Sequence, residues 1–192
     1  MPRASAEAAA RTAQQILDAA TGLFAAEGFA GVALDEVARA AGVTRGAVYH
    51  HYRNKAGLFA AVAARLQAQV ASAVVEAAER SGADAAAQLR AGSHAFLDAI
   101  TAAPAVRVLL IEAPAVVGWE EWRRLDAENS GAHLREALVA CGVGEGLLDA
   151  LTAQLSGAMN EAALWIAGHD DPAAARRTGH AALDRLLAAV VG

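Results

Sequence analysis

The sequence predicts an all-α protein, and three observations support this fold class. Apolar residues make up 56% of the 192 residues and aromatic residues 5%, with alanine abundant throughout and only four prolines, a composition that favours helices. Apolar residues recur at helical spacing, and no segment shows the sustained alternation of a strand. The length suits a small domain joined to a larger one. We expect a disordered N-terminus over residues 1–10, a small helical domain over 11–58 and a larger helical domain over 59–192.

The first predicted helix spans about residues 11–27 and supports the small domain. Ile16, Leu23 and Phe24 fall on one face at helical spacing. Gly28 should end the helix, because glycine adopts a left-handed backbone conformation without a Cβ penalty. The apolar face is expected to cover the two helices that follow.

Residues 33–55 have the spacing of a helix-turn-helix, whose second helix enters a DNA groove. Small residues such as Ala38 would let two short helices approach closely, and Gly42 would provide the turn between them. Thr44 offers a side-chain oxygen to cap the next helix. We interpret residues 45–51 as the recognition helix.

The outward side of this helix carries side chains that suit a DNA groove and its phosphates. Arg45, Gly46, Tyr49 and His50 combine a cation, a small residue and hydrogen-bonding rings. Arg45 could make a bidentate contact with guanine O6 and N7 or a contact with a phosphate, and both roles stay open. The alternative is a surface helical hairpin without a DNA role, since glycine after a helix and scattered alanines are common.

The segment from about Arg11 to Phe59 resembles the N-terminal DNA-binding domain of the TetR family of bacterial transcriptional repressors. The matching stretches are Phe24–Phe29, Asp35–Ala38, Ala41–Val43, Val48–Tyr52, Asn54–Lys55 and Leu58–Phe59. One position departs from the family, which usually has threonine or serine where this chain has Ala33 before the second helix. A missing N-cap costs about 1 kcal/mol, which loosens the start of that helix without excluding the assignment.

The resemblance implies roles for individual residues. In the family, the tyrosine matching Tyr49 and the lysine matching Lys55 commonly hold phosphates, while the first residues of the recognition helix meet base edges. Lys55, the only lysine of the chain, begins a new helix, where its charge is unfavourable unless an anion lies nearby. The predicted DNA-binding residues are Thr44, Arg45, Gly46, Ala47, Tyr49, His50, Tyr52 and Lys55.

Charge is unevenly distributed along the chain, whose net charge is −5. Residues 1–66 hold seven Lys and Arg against five Asp and Glu, a net charge of +2; residues 67–192 hold nine against sixteen, a net charge of −7. The acidic part need not touch DNA. The single cysteine, Cys141, excludes an internal disulfide, and the N-terminus lacks the apolar core of a signal peptide. We expect a cytoplasmic protein with no membrane segment.

The larger domain is predicted to be a series of helices. They span about residues 55–80, 84–102, 104–114, 118–141, 147–167 and 172–191. Asp84 and Asp171 are expected to be caps, and Pro114 to stop the short third helix of this series. An interruption at residues 129–131 fits either one kinked helix or two.

The last two helices carry an apolar stripe that suits a four-helix dimer interface made by two copies. A dimer would also place two recognition helices about 34–36 Å apart, as a two-fold operator requires. The alternative is that the stripe closes the core of the single chain. The predicted interface residues are Leu148, Leu151, Leu155, Met159, Leu183, Leu186, Leu187 and Val190.

An effector pocket is predicted among the middle helices, because DNA reading alone would hardly need so many further residues. Trp119 and Trp122, three residues apart, could form apolar walls of the pocket, although ordinary core or dimer-edge positions suit them as well. Each polar candidate could likewise be a structural or surface group. The candidate pocket residues are His94, Asp98, Arg107, Trp119, Trp122, Asn129, His133, Met159 and Asn160.

The sequence offers no cofactor site, no metal-ligand spacing and no catalytic constellation. Three functions remain: a homodimeric repressor on an inverted-repeat operator in double-stranded DNA that a small-molecule effector releases, a DNA-binding regulator controlled by a protein partner, and a helical ligand carrier or enzyme. The first is favoured. Ligand entry should shift the long helix that begins at Lys55 and change the separation of the recognition helices.

Overall fold

The computed structural model describes residues 2–102 and 104–191. In these residues every regular secondary-structure element is a helix. The predicted all-α class is therefore confirmed. The α-helices are α1 (Pro2–Gly31), α2 (Leu34–Ala40), α3 (Arg45–Tyr52), α4 (Lys55–Arg80), α5 (Ala85–Thr101), α6 (Ala113–Val116), α7 (Trp119–Asp126), α8 (Ala132–Ala140), α9 (Glu145–Ala167) and α10 (Pro172–Val191). Two π-helical segments, Val106–Glu112 and Ala127–Gly131, precede α6 and α8.

The first helix is longer than the sequence predicted. α1 begins at Pro2, so residues 2–10 are helical where disorder was expected. Proline fits the first turn of a helix, and the alanines that follow have the highest helix propensity. Gly28, with φ at 75° and ψ at 173°, interrupts the helical conformation at the predicted end.

Aromatic packing holds the small domain together. Phe24 and Phe59 are fully buried, and the Phe59 ring meets Phe24 and Phe29 edge to face, with centroids 5.1 Å and 5.3 Å apart. Val37 of α2 and Val48 of α3 are buried in the same core. This packing fixes α3 against α1 and α4 and leaves its other side open to solvent.

α4 links the two domains over the predicted range. Its apolar residues Leu58, Val62, Leu66 and Val70 are buried, first in the small domain and then in the larger one. The length and composition of α4 would also suit a membrane span. Its extensive packing along α5 is that of a core helix.

The helical backbone between α5 and α7 does not end at Pro114, contrary to the prediction. The backbone is π-helical over Val106–Glu112 and continues through Pro114 to Val116. A π-helical turn has a wider hydrogen-bond spacing than an α-helix, from residue i to residue i−5. The proline lies in the first turn of α6, where its missing N–H is tolerated.

The missing N–H of Pro114 frees an acceptor that another helix uses. The Ala113 amide donates to the carbonyl of Val108, five residues back. The next amide in this register would belong to Pro114, which has none. The carbonyl of Leu109 instead accepts a hydrogen bond from Trp122 Nε1 at 2.7 Å. Pro114 therefore helps to join the first π-helical segment to α7.

The remaining local predictions agree with the structure. The interruption at residues 129–131 lies in the second π-helical segment, so that α7 and α8 form one helical run. Asp84 Oδ2 accepts from the Ala87 amide at 2.8 Å, and Asp171 Oδ1 accepts from the Ala174 amide at 3.0 Å. Both predicted caps are confirmed.

The apolar stripe of α9 and α10 mainly closes the core of the single chain. The five buried members of the predicted dimer set are Leu148, Leu155, Met159, Leu183 and Leu187. Leu151 and Val190 are half-buried, and only Leu186 is exposed. These buried residues pack inside the chain, because α5 contacts both helices and α8 contacts α9.

Candidate DNA-binding surface and regulatory core

α3 presents a polar face to solvent, and a glycine turn and an N-cap fix where the helix begins. Gly42 adopts φ of 67° in the turn, and Thr44 Oγ1 accepts from the Ala47 amide at 3.2 Å. These contacts confirm the predicted turn and cap. Most of the residues predicted to meet DNA on this helix are exposed, namely Thr44, Arg45, Gly46, Tyr49 and His50, while Ala47 is half-buried.

The start of α2 lacks the usual side-chain cap but keeps half of a capping box. Ala33 has no side-chain oxygen, yet its amide donates to Glu36 Oε2 at 2.9 Å. The Glu36 amide in turn donates to the Ala33 carbonyl at 3.0 Å. The negative charge of Glu36 in the first turn also interacts favourably with the helix dipole. The departure at Ala33 is thus partly compensated.

Arg45 is held by two neighbours on the same surface. Its Nη1 lies 3.1 Å from Asp35 Oδ2, and its Nη2 donates to the Tyr49 hydroxyl at 3.2 Å. The hydrogen bond with Tyr49 and the charge of Asp35 raise the pKa of Arg45 above its ordinary value. A base or a phosphate would compete with the Asp35 carboxylate or use the remaining N–H donors of the guanidinium.

Lys55 has partners within the chain even without a bound anion. Its Nζ donates to the Ala30 carbonyl at 3.2 Å and lies 4.7 Å from the centroid of the Phe29 ring. The end of α1 therefore supplies the negative partial charge that we had expected from an anion. A DNA phosphate would add to these contacts or compete with them.

Tyr52 has a structural role that the sequence did not indicate. Its hydroxyl donates to the Ala13 carbonyl of α1 at 2.8 Å, and burial raises its pKa. Arg53, by contrast, was not predicted as a site residue, yet it is exposed at the end of α3 with φ at 63°. Asn54 Oδ1 then caps α4 through the Gly57 amide at 2.7 Å.

The larger domain contains a cavity of about 420 Å³ between α4, α5 and α8. This volume lies within the range of small-molecule sites. Of the nine residues predicted for an effector pocket, His133 and Met159 line it. The apolar wall includes residues that sequence reasoning missed, namely Val74, Val75, Leu89, Phe96 and Leu134.

The other predicted pocket residues lie elsewhere. Trp119 is 62% exposed, whereas Trp122 is buried and bound to the Leu109 carbonyl. Asn129 donates to the Leu125 carbonyl of its own helical run at 2.7 Å. Asn160 is 7% exposed, and neither polar atom of its amide has a hydrogen-bond partner among the described residues. The remaining three are His94, Asp98 and Arg107.

His94 and Asp98 belong to a ladder of charged residues between α5 and α10. The ring of His94 stacks on that of His180, with centroids 4.2 Å apart, and its Nε2 lies 2.7 Å from Asp184 Oδ1. Arg90 also binds Asp184 with two nitrogens, and His180 Nε2 lies 3.2 Å from Asp98 Oδ1 without hydrogen-bond geometry. Over residues 2–102 and 104–191, no group of three or more His, Cys, Asp or Glu side chains is arranged to hold a metal ion.

Arg107 forms a clamp between the two domains together with Glu112. Arg107 Nη1 donates to the carbonyls of Ala25 and Ala26 at 3.1 Å and 3.0 Å. Glu112 Oε2 accepts from the Phe29 amide at 2.8 Å, and the two side chains pair with each other at 3.2 Å. Both ends of the first π-helical segment are therefore attached to the end of α1.

Gly28 leaves room for this clamp. A Cβ added at Gly28 would collide with the side chains of Arg107 and Glu112. The positive φ also requires glycine there. The break in α1 and the clamp thus occupy the same place.

A second apolar groove, of about 420 Å³, runs between α9 and α10. Its lining includes Trp165 and Leu186, which are 45% and 48% exposed. Leu97 and Met159 form its floor and are buried. The open side of these two helices therefore carries large apolar side chains that differ from most of the predicted dimer set.

Comparison with known proteins assigns the family. Residues 16–62 match the bacterial regulatory proteins of the tetR family, and residues 86–190 match a tetracyclin repressor-like C-terminal domain. A TetR-family transcriptional regulator from Pectobacterium atrosepticum has a similar structure, with 30% identity, a TM-score of 0.75 and coverage of 96% of each chain. RolR in complex with resorcinol shares the fold at 19% identity and a TM-score of 0.68, covering 97% of this chain and 94% of that one.

Among curated relatives, the HTH-type transcriptional regulator AcrR of Shigella flexneri is 45% identical over 62 residues, which is 32% of this chain. The chain spans only 29% of the length of that relative. The C-terminal match alone covers more than half of the chain, and the Pectobacterium protein aligns over nearly all of it. These regulators are DNA-binding proteins and not enzymes. The chain belongs to the TetR family of bacterial transcriptional regulators.

Proposed function

We propose that this regulator is a repressor that binds an inverted-repeat operator as a homodimer and leaves it when a small molecule enters the larger domain. The observation that carries the proposal is the placement of α4. Val74 and Val75 near its end line the cavity, and Lys55 at its start adjoins the recognition helix. One rigid helix therefore connects a ligand-sized space with the DNA-binding surface.

DNA contact would use the open face of α3 and the start of α4. Arg45 and His50 can reach base edges in the major groove, and Tyr49 and Lys55 can hold phosphates on either side. Tyr52 would act indirectly, by holding α3 to α1 through the Ala13 carbonyl.

The second copy would pack on the groove of α9 and α10. Trp165 and Leu186 are exposed apolar side chains at its rim, and exposed apolar patches of this kind mark protein contacts. A two-fold contact there would make a four-helix interface. The proposed dimer thus uses the same two helices as the sequence predicted, with the exposed Leu186 and Trp165 in the contact in place of the buried members of the predicted set.

Release would follow two physical routes. A ligand that widens the cavity would push α4, and a ligand that disturbs Trp122 would reach the clamp of Arg107 and Glu112 through the Leu109 carbonyl. Either movement changes the spacing of the two recognition helices. To shift a 99:1 equilibrium to 1:99, the ligand must favour the released state by about 5.5 kcal/mol.

The first test is selection of bound fragments from random duplex DNA. We expect the wild-type protein to enrich an inverted repeat and the Tyr49→Ala, Lys55→Ala double variant to lose it. The matched control is Arg185→Ala, which removes an exposed arginine of α10 and should leave the enrichment intact.

Two outcomes would contradict the proposal. Enrichment of a single half-site would exclude a homodimeric reader. No enrichment at low salt would exclude unassisted operator binding and favour control by a protein partner or a function unrelated to DNA.

A further inference from the structure

The turn between the recognition helix α3 and the long helix α4 has a strained backbone at Arg53. The Asn54 amide donates to the Tyr52 carbonyl at 2.7 Å, and Arg53 between them has φ of 63° and ψ of −49°. This is the rare kind of γ-turn, in which the central residue has a positive φ and a negative ψ. Among the described residues, Arg53 is the only one other than glycine with a positive φ. A bulky residue therefore occupies a conformation that suits glycine.

The contacts on either side of the turn impose this conformation. The Tyr52 hydroxyl is bound to the Ala13 carbonyl of α1, and Asn54 Oδ1 caps α4 through the Gly57 amide. A Cβ added at Gly57 would collide with the Tyr52 carbonyl oxygen, so the end of α3 and the start of α4 are in close backbone contact. Strained residues persist where the surrounding structure fixes them in this way. The strain at Arg53 thus comes from the packing of α3 on α4.

The side chain of Arg53 has no partner that would explain its presence in the turn. It is exposed, and its guanidinium forms no hydrogen bond or ion pair with the described residues. The two cations that flank it differ in this respect, because Arg45 is paired with Asp35 and Lys55 with the Ala30 carbonyl. Glycine at position 53 would remove the strain without breaking a side-chain contact within the described chain. The guanidinium is available to an anion outside the chain.

Position and charge indicate that this anion is a DNA phosphate. Arg45, Tyr49 and Arg53 follow one another at intervals of four residues, and the Arg53 amide donates to the Tyr49 carbonyl at 2.9 Å. Residues 37–75 contain five Arg and Lys and no Asp or Glu, so the local potential attracts a polyanion. A guanidinium has five N–H donors in a geometry that matches phosphate oxygens.

We propose that Arg53 binds a phosphate of the DNA backbone beside each half-site, in addition to the contacts of Tyr49 and Lys55, and that the strained turn holds it there. The inference rests on the proposed function, in which α3 enters the major groove. A phosphate contact does not distinguish bases, so Arg53 adds affinity for every DNA sequence. A homodimer makes the contact twice, once in each copy.

The test measures DNA affinity of the full chain by fluorescence anisotropy, from about 50 to 200 mM salt. The probes are two duplexes of equal length, the selected inverted repeat and a shuffled sequence. Arg53→Gly should weaken binding to both by roughly ten- to hundred-fold. The slope of log affinity against log salt should become less steep by about 1.8, since each of two lost phosphate contacts contributes about 0.9. Arg53→Lys keeps the charge and should restore most of both quantities.

Urea unfolding of the same variants separates a lost contact from a damaged turn. Glycine relieves the positive φ, so Arg53→Gly should lower the unfolding equilibrium constant by roughly three- to thirty-fold. Arg53→Ala keeps the strain and should unfold like the wild type, yet bind DNA as weakly as Arg53→Gly. Arg185→Ala, which removes an exposed arginine of α10, is the control and should keep the wild-type salt slope and affinity.

An unchanged salt slope in Arg53→Gly and Arg53→Ala would overturn the phosphate contact. Weaker binding confined to the selected repeat would overturn it as well, because a phosphate contact acts on both duplexes. A less stable Arg53→Gly would show that the turn is not strained by the arginine. A wild-type protein that binds neither duplex would overturn the proposed function together with this inference, whereas equal binding by the wild type and Arg53→Gly would overturn this inference alone.

Discussion

The two domains of this regulator differ in where their polar side chains lie, on the surface in one and partly in the interior in the other. In the small domain the buried side chains are apolar, and the polar groups suited to DNA, such as Arg45 and Tyr49, lie on the surface. In the larger domain the interior itself is polar in part, with Gln67, Ser93, Ser156 and Asn160 buried. The first arrangement suits recognition of a large external partner and the second suits a small molecule that must be enclosed.

The two domains also differ in the regularity of their backbones. Both π-helical segments lie in the larger domain: Ser130 of the second lines the cavity, and Leu109 of the first lines a small recess beside Trp122. π-helical turns widen a helix locally and are frequent at functional sites. The small domain instead concentrates its irregularity at glycine turns, where Gly28 and Gly42 have positive φ. Irregular helical turns thus occur in the larger domain, and glycine turns interrupt the small one.

The largest expected effect comes from the surface that would join two copies. Trp165→Glu combined with Leu186→Glu should lower operator affinity by roughly 10² to 10⁴-fold, because two linked recognition helices are replaced by one. Val139→Glu, at an exposed apolar residue of α8, is the control. Gel-shift titration gives the affinity, and sedimentation gives the mass. A double variant that stays dimeric would move the interface elsewhere.

The second largest effect is expected at Arg45. It shows whether this side chain of the small domain reads a base and so determines sequence preference. Arg45→Ala should weaken binding to the selected operator by roughly ten- to hundred-fold if the side chain reads a guanine, with much less effect on random DNA. Competition gel shifts with both DNAs measure the ratio. If both affinities fall by the same factor, Arg45 contacts a phosphate and does not read a base.

The sequence predicted the small domain well because its signals are local. Thr44 caps α3, Gly42 makes the turn, and α4 begins at Lys55, as expected from spacing and capping chemistry alone. The role of Tyr52 was missed, because its partner Ala13 is 39 residues away. Local patterns indicate where helices begin and end, but they do not identify partners that the tertiary fold provides.

The larger domain shows the same limit more strongly. His94 was expected in a pocket but pairs with Asp184, 90 residues further along the chain. Arg107 was expected there as well and reaches α1 instead. The apolar stripe of α9 and α10 was real, yet helical spacing alone could not decide whether α5 or a second copy covers it. These choices depend on long-range packing of similar apolar faces, which a single sequence does not specify.

A smaller effect is expected at Gly28, where α1 meets the clamp of Arg107 and Glu112. Gly28→Ala should destabilise the protein by about 1–3 kcal/mol, because its backbone conformation is restricted to glycine and the added Cβ would displace the clamp. Gly22→Ala is a close control on the same helix, since nothing lies within 4 Å of the added Cβ; it should stabilise by roughly 0.5–1 kcal/mol. Urea unfolding measures both.

The same pair of variants separates stability from signalling. If the clamp transmits the effector signal, Gly28→Ala should bind operator without ligand and respond less to an effector that releases the wild type, while Gly22→Ala should respond normally. A normal response by Gly28→Ala would assign transmission to α4 alone. Either result identifies which of the two physical routes couples the domains.

The smallest expected effect is a dependence of stability on pH that comes from the ladder between α5 and α10. Burial, together with the charges of His94 and Arg176, lowers the pKa of His180 below its ordinary value, while Asp98 and Asp184 oppose the shift. Between the lowered value and about 6.5, the unfolded chain binds more protons than the folded one. The free energy of unfolding should therefore fall as the pH drops through this window.

Urea unfolding at pH 7.5 and at several values below 6.5 measures this slope, and His180→Gln should flatten it. His50→Gln, at an exposed residue of α3, should keep the wild-type slope. Asp184 acts in a more acidic range, because Arg90 holds its pKa below the ordinary carboxyl value; its contribution is lost only as the pH falls further. An unchanged slope in His180→Gln would show that His180 does not cause the pH dependence of stability in this range.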